Sequence, residues 1–449
     1  MITERDLRAR VAEWGLRDDV VEKDYVLGWV LAGIGTEQGL RDGWVFKGGT
    51  CLKKCYLETF RFSEDLDFTV LEGGPIAEDD VLKHLDRMLE RIGQESGIDF
   101  TVRERRLRIR PNGSLEARIY YRGPRNAPSA ASIRLDLTRD EQIARPPVMR
   151  PIQHLYSDQL PEPGTVRCYS LEEVYAEKIR VMGERGRPRD LYDIVFLLDY
   201  PGLTAHPGLI SDTLIAKCES KGVPVPTLEL LEGSPHRAEL ESEWVNMLGH
   251  QLPALPPLEH YWDRLPELFQ WLGGELDVEL PAPVAGGTGE TIWVPSPTSW
   301  SWGSGPALEP VRFAGANRLC IDLGYRGTVR RVEPYSLRVT RDSNLLLYAV
   351  RRDNRQLRSY RVDRIQSIEI TTEPFKPVRL VEFRPTGPLA APPTTRGSVG
   401  GRRTSSARPY RVECAVCGKT FARSRPGIRL NAHKDESGFP CPGRTGYQV

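Results

Sequence analysis

The sequence has no bias of charge and no long apolar run, and each absence removes a class of function. Its 62 Lys and Arg against 61 Asp and Glu leave a net charge of +1, so the molecule as a whole offers no cationic field, and any basic surface has to be local. No uninterrupted apolar stretch reaches the length of a membrane span, and the charged first residues lack the apolar core of a secretion signal. The expected location is the cytoplasm, with no membrane partner. Cysteine is sparse and follows no disulfide pattern. Cys51, Cys55, Cys168, Cys218 and Cys320 are scattered, and only Cys414, Cys417 and Cys441 cluster near the end, which fits reduced thiols and a terminal metal site better than disulfides. A chain of 449 residues with 39% hydrophobic content predicts two or more globular domains.

What is present is concentrated in residues 45–70, VFKGGTCLKKCYLETFRFSEDLDFTV. Asp65 and Asp67 stand two apart among Leu66, Phe68 and Val70, so on a strand both carboxylates leave one face, where they suit a divalent metal. Ser63 lies just before them. Gly48, Gly49 and Thr50 follow the apolar piece 44–46, the pattern of a strand turning tightly into a helix, where backbone N–H groups approach a phosphate closely. Together these halves suggest a nucleoside triphosphate site. Lys47 fits either a phosphate contact or an ordinary solvated charge.

Downstream, EKDYVLGWVLAGI at 22–34 reads as a core helix before the glycine turn, and 79–93 as an amphipathic helix. Segments 100–110, 115–121 and 131–137 alternate as an antiparallel meander continuing the sheet. Asp136 falls on the last of them, a third carboxylate of the kind a two-metal site needs, although a lone strand aspartate is ordinarily solvated. Arg103, Arg105, Arg106, Arg108, Arg110, Arg118, Arg122 and Arg125 make the meander either a solvated face or a basic groove for a polyanion such as RNA. Ser170 to Glu173 form a capping box for a helix that carries Lys178. Arg185, Arg187 and Arg189 then precede Asp190 and Asp193 on a helix opened by Pro188, a set suited to gripping a triphosphate, with the acids anchoring the cations.

These motifs resemble the AbiEii/AbiGii nucleotidyltransferase toxins of the polymerase-beta-like superfamily. The matching pieces are EKDYVL at 22–27, FKGGTCL at 46–52, RFSEDLDF at 61–68, IRLDL at 133–137, YSLEEVYAEKI at 169–179 and RPRDLYDIVFLL at 187–198. The resemblance implies an α+β nucleotidyltransferase core over 1–275, with a sheet part at 1–165 and a helical part at 166–275. It further implies nucleotide phosphates at Gly48, Gly49, Thr50 and Ser63, and Mg2+ or Mn2+ on Asp65, Asp67 and Asp136. Lys178, Arg187 and Arg189 would contact the triphosphate, and Asp190 would be the acid of the last motif. The expected reaction moves a nucleoside monophosphate from an NTP to the 3′ end of a transfer RNA, or to a protein hydroxyl, releasing pyrophosphate, in a phage-defence or toxin–antitoxin setting with a possible cognate antitoxin.

Aromatics in 260–274, Tyr261, Trp262, Phe269 and Trp271, read as core. A Pro-, Gly-, Ser- and Thr-rich linker is expected over 276–310, although Trp293, Trp300 and Trp302 are unusual in one. Short strands from 311 to 382 read as a small β-barrel that resembles the WYL domain, with Leu347-Tyr348-Ala349 in place of its eponymous tripeptide. That resemblance implies a regulatory nucleotide or nucleic-acid ligand on Tyr335, Ser336, Arg338, Ser359, Arg361 and Arg364. A disordered basic tether is expected over 383–410. Over 411–449, Cys414, Cys417, His433 and Cys441 form a Cys3His set for structural Zn2+. The rival reading is a non-enzymatic, nucleotide-sensing regulator that binds nucleic acid through the WYL module and the zinc element.

Overall fold

The computed structural model describes residues 1–57, 61–139, 141–200, 206–276, 281–293, 308–383, 410–423, 429–435, 440–443 and 445–448. Trp300, Trp302 and nearly all of the expected tether lie outside the described residues. The chain divides into two units, Met1–Pro392 and Pro393–Val449.

The first unit opens with α1 (Glu4–Trp14), capped reciprocally by Thr3 and Asp6. The second helix, α2 (Asp18–Thr36), is buried on nearly every side, yet begins with the charges of EKDY. Each charge has a partner: Glu22 accepts the Arg125 backbone N–H at 2.8 Å, Lys23 reaches Glu64 at 2.6 Å, and Asp24 takes Lys54 at 2.7 Å and the Tyr156 hydroxyl at 3.0 Å. A buried charge persists only when paired, so this motif anchors the core helix to four other segments.

After α3 (Gln38–Gly43) the chain forms β1 (Trp44–Lys47), α4 (Gly48–Cys51), a π-helical turn (Leu52–Tyr56), β2 (Asp65–Val70) and α5 (Glu78–Ser96). Strands β3 (Arg106–Ile109), β4 (Leu115–Tyr121), β5 (Ala131–Thr138), β6 (Val148–Pro151) and β7 (Thr165–Cys168) complete a seven-stranded mixed sheet ordered β3-β4-β5-β2-β1-β7-β6. The meander is present, although only the last part of 100–110 is strand. It joins the metal strand through a parallel pairing of β5 with β2. Leu66, Phe68, Ile133, Leu135 and Leu137 are buried on one side of these strands, which leaves Asp65, Asp67, Arg134 and Asp136 on the other.

The helical part holds α6 (Leu171–Arg185), capped by the Ser170 hydroxyl, then α7 (Pro188–Leu198) and α8 (Pro207–Lys221). Gly186 ends α6 in the left-handed conformation (φ +51°). Helices His236–Leu248 and Leu265–Leu272 follow, with Tyr261 and Trp271 buried as core.

The β domain is an antiparallel sheet of β9 (Leu319–Tyr325), β10 (Thr328–Val339), β11 (Leu345–Arg351), β12 (Leu357–Arg361) and β13 (Ile365–Pro374), ordered β12-β11-β10-β9-β13. Segments 328–334 and 336–340, each patterned as a short strand, fuse into β10, because a register shift between Pro334 and Ser336 lets the strand bend without ending. Part of the expected linker is ordered: its strand β8 (Thr291–Ile292) pairs with β10, Trp293 donates its backbone N–H to Leu337 at 2.8 Å, and Val284 is buried. The apolar side chains of Val284, Ile292 and Trp293 give the segment something to bury.

The β domain seats directly on the helical part. The Tyr192 hydroxyl of α7 donates to Asn317 Oδ1 at 2.6 Å, and Arg318 pairs with Asp199 at 3.1 Å.

The second unit carries strands at Tyr410–Cys414, Thr420–Arg423, His433–Lys434, Pro440–Cys441 and Gly446–Gln448. Its buried cluster is Val412, Cys414, Leu430 and Cys441. So small an apolar cluster calls for a further staple.

Candidate active site

Strand register assembles the site. Lys47, Asp67, Asp136, Glu116 and Arg108 face one another across β1, β2, β5, β4 and β3, and Asp65, Arg134, Arg118 and Arg106 form the next row. Residues directly opposite share a face, and positions two apart along a strand return to it. Three aspartates, with Glu116 beside Asp136, therefore stand together at one end of a face that runs out into arginines.

The carboxylates crowd one another. Burial pushes the Asp67 carboxyl up; Lys47 opposes this, and Asp136 and Asp65 reinforce it. Burial likewise raises Asp65, against the pull of Arg134 and with the push of Asp136. Arg134 pairs with Asp65, and Arg110 reaches Asp136 at 2.7 Å. Lys47 itself is lowered to about 8 by burial. Its ammonium pairs with Glu141 and donates to Thr138 Oγ1 at 3.0 Å. Glu141 went unread in the sequence because it lies in the loop between β5 and β6.

The glycine pair is required by close approach. Gly48 has φ +80°, and a Cβ there would lie 2.5 Å from Asp67 Oδ2; a Cβ on Gly49 would lie 2.7 Å from Arg61 Nη2 and 3.3 Å from Ser63 Oγ. The turn thus brings its backbone against Asp67, Arg61 and Ser63. Thr50 departs from expectation. It is buried, and its hydroxyl donates to the Asp65 carbonyl, tying the turn to β2, so that hydroxyl is not presented to a phosphate.

Beside the turn lies a buried ion network. Arg61 grips Asp193 with two bonds, of 2.7 and 2.8 Å, and reaches Gln251 Oε1 at 2.9 Å. Lys178 lies 3.0 Å from Asp190 and 2.7 Å from Asp193, and Arg185 pairs with Asp190 at 3.0 Å. Lys178 and Asp190, expected at the triphosphate and as the acid of the last motif, therefore hold each other inside the protein, Asp190 with only 1% exposure. Arg189 lies among Arg61, Asp65 and Glu64, and its buried Nε has no hydrogen-bond partner among the described residues. Arg187, the residue before α7, has an exposed side chain. Arg61 and Gln251 escaped sequence reading because their partners lie 132 and 190 positions apart; the only signal was the arginine opening RFSEDLDF.

Residues 29–271 match the family described as nucleotidyl transferase AbiEii toxin, type IV toxin–antitoxin system, which is more than half of the chain. The chain belongs to the AbiEii nucleotidyltransferase toxin family. Residues 306–370 match the WYL domain. Among solved structures, the AbiEii-family chain is similar to MenT4, a nucleotidyltransferase toxin from Mycobacterium tuberculosis H37Rv, at 22% identity and a TM-score of 0.39, covering 62% of this chain and 92% of that one. No curated protein sequence matches it significantly.

In the WYL domain, the six expected ligand residues separate into two groups. The Tyr335 hydroxyl donates to Glu333 at 3.2 Å and accepts from the Val378 N–H at 3.1 Å; Ser336 is fully buried; Arg338 binds both Glu382 oxygens, at 2.7 and 2.8 Å, and the Val284 carbonyl at 2.9 Å. These three are satisfied internally: Glu382 and the 281–293 segment cover Arg338, whose Nε donates to Ser336, and Phe375, Val378 and Glu382 enclose Tyr335. Ser359 and Arg364 remain exposed, and Arg361, half-buried, pairs with Asp363 at 2.7 Å.

In the second unit, Cys414, Cys417, His433 and Cys441 bring their ligand atoms within 4.8 Å of one another. His433 Nδ1 faces the Asn431 carbonyl at 2.9 Å, which orients Nε2 toward the thiols. Backbone N–H groups of Cys417 and Val416 bring the Cys414 thiol down to about 6. Gly443 is needed here, since a Cβ would lie 2.5 Å from Cys414 Sγ. Tetrahedral Zn2+ fits this donor set.

Proposed function

We propose that this AbiEii-family nucleotidyltransferase holds Mg2+ or Mn2+ on Asp65, Asp67 and Asp136 and transfers a nucleoside monophosphate from an NTP to an RNA acceptor. The observation that carries the reading is the pair of cross-strand rows, in which three acids end a face lined by Arg106, Arg118 and Arg134. Carboxylates so crowded that Asp136 helps to raise the pKa of Asp65 and Asp67 suit a hard divalent cation. When bound, such ions supply charge neutralisation for the triphosphate and for the in-line displacement at its α-phosphorus.

The protein's own part is positioning. The Gly48-Gly49 backbone admits the phosphates, Arg189 faces them with an unspent donor, and the Lys178–Asp190–Asp193–Arg61 network keeps the turn and α7 in place. The acceptor hydroxyl oxygen forms a bond to the α-phosphorus as the bond to the bridging oxygen breaks; pyrophosphate leaves with that electron pair, and the hydroxyl proton goes to solvent. The arginine rows favour a polyanionic acceptor such as a transfer RNA end over a protein hydroxyl.

Four parts serve this function: a catalytic body over 1–275, a WYL-like module over 311–382, a zinc-stapled element over 411–449, and joining segments between them. The WYL module regulates transfer through α7, whose first two turns carry Asp190 and Asp193 and whose Tyr192 is clasped by Asn317. A cognate antitoxin fits the family. The test is incubation with each labelled NTP and total RNA, comparing wild type with Asp67→Ala. Label on RNA that depends on Asp67 supports the reading. Label on protein alone, or equal labelling by both, overturns it.

A further inference from the structure

Three cysteines that look unrelated in the sequence meet in the fold. Cys51 ends α4, Cys55 lies in the π-helical turn, and Cys168 ends β7, facing Phe46 of β1. Their sulfur atoms all lie within 4.8 Å of one another, and all three residues are fully buried. An ion bound at 2.3 Å to three sulfurs in a plane separates them by about 4.0 Å, so one ion fits between them with little movement. The π-helical turn, closed by a bond of 2.7 Å from the Leu57 N–H to the Leu52 carbonyl, sets where Cys55 falls. Such turns recur at functional sites.

We propose that Cys51, Cys55 and Cys168 form a third metal site, a three-thiolate centre for a soft monovalent ion, copper(I), that clamps the catalytic turn to the sheet. The donor set decides the ion. Thiolates select soft metals, and no fourth His, Cys, Asp or Glu joins the group among the described residues. Zinc ordinarily takes four ligands, with water or protein filling the last position, whereas full burial keeps water from this one. The second sphere suits an anionic centre: Arg150 stacks 4.7 Å from the Tyr56 ring and reaches the Cys55 carbonyl at 3.4 Å. Binding displaces thiol protons to solvent. Cys51 follows Thr50 directly, so occupancy fixes the helix that begins at Gly48 against β1 and β7.

The test uses the full chain carrying Cys414→Ser and Cys417→Ser, which removes the terminal set. The protein is prepared reduced and metal-free, then titrated anaerobically with copper(I) against a chromophoric copper(I) chelator, with Zn2+ in a parallel titration. One equivalent of copper(I) should bind, with three sulfur neighbours by X-ray absorption, and adding Cys168→Ala should weaken it at least a hundredfold. Should Cys168→Ala not fold, Cys51→Ala and the absorption spectrum of the intact thiol set decide the matter. No copper bound, unchanged binding in both alanine variants, or zinc held more tightly with a fourth light-atom neighbour overturns the proposal.

Discussion

Replacing Asp67 with Asn should sharply lower transfer while stabilising the fold, a combination that a cation site produces and a structural carboxylate does not. Asp67 faces Asp136 across the parallel pair β2/β5, and adjacent strands lie about 4.8 Å apart. Two carboxylate charges at about 5 Å repel by roughly 3 kcal/mol at an effective dielectric of 20. Lys47 offsets part of this but is itself drawn to Glu141. Neutralising Asp67 should therefore recover about 1–2 kcal/mol, a rise of about 2–6 °C in melting temperature.

The pH dependence has a definite sign. Burial, opposed by Lys47 and reinforced by Asp136 and Asp65, raises the Asp67 pKa in the folded chain. Such a carboxyl binds more protons folded than unfolded, so its cost is complete above the folded pKa and is relieved as pH falls through it. The gap between variant and wild type should be widest near neutrality and close on acidification. Mg2+ at a hundredfold excess over its Kd should stabilise wild type by about 2.7 kcal/mol and leave Asp67→Asn nearly unmoved, while transfer falls on the order of 10³-fold, the rate equivalent of several kcal/mol. Melting curves across pH, with and without Mg2+, read all of this. A variant that melts lower than wild type, or equal Mg2+ shifts in both proteins, would refute the reasoning.

Asp193→Ala leaves Arg61 and Lys178 short of a buried partner, and thermal melts should show a loss of about 3–5 kcal/mol; a change under 1 kcal/mol would count against the network. Arg106→Ala and Arg118→Ala should weaken RNA binding and lower its salt slope by about 0.7 for each phosphate no longer neutralised, as fluorescence anisotropy over a salt series reports. Asn317→Ala removes the buried bond from Tyr192, worth about 1 kcal/mol, so a regulatory clasp should change the transfer rate by up to about fivefold, with no change expected if the WYL module only packs. Metal chelation should make residues 410–448 protease-sensitive without shifting the melt of the first unit, since a metal-stapled element loses its folding energy with its ion.

The alternation of Asp65 and Asp67 with Leu66 and Phe68 determined by itself that a strand would show two acids on one face, because side chains alternate with period two. The capping signal at Ser170, Pro188 opening a helix and the Cys-x2-Cys pair were legible for the same reason: their physics is local. Only the tertiary structure decided the rest. The register of β2 against β5 put Asp136 opposite Asp67 and extended the acids into an arginine face, and no local pattern specifies a parallel register across an intervening helix and two strands. Folding also turned Lys178 and Asp190 toward each other and supplied Arg61 from a distant segment, because a buried charge must find its counter-ion wherever the core brings one. It gathered Cys51, Cys55 and Cys168, which a reading by spacing left scattered. It covered Arg338 with a stretch whose Pro- and Gly-rich composition reads as a linker, since a few apolar side chains at the right places outweigh composition once a sheet edge is there to receive them.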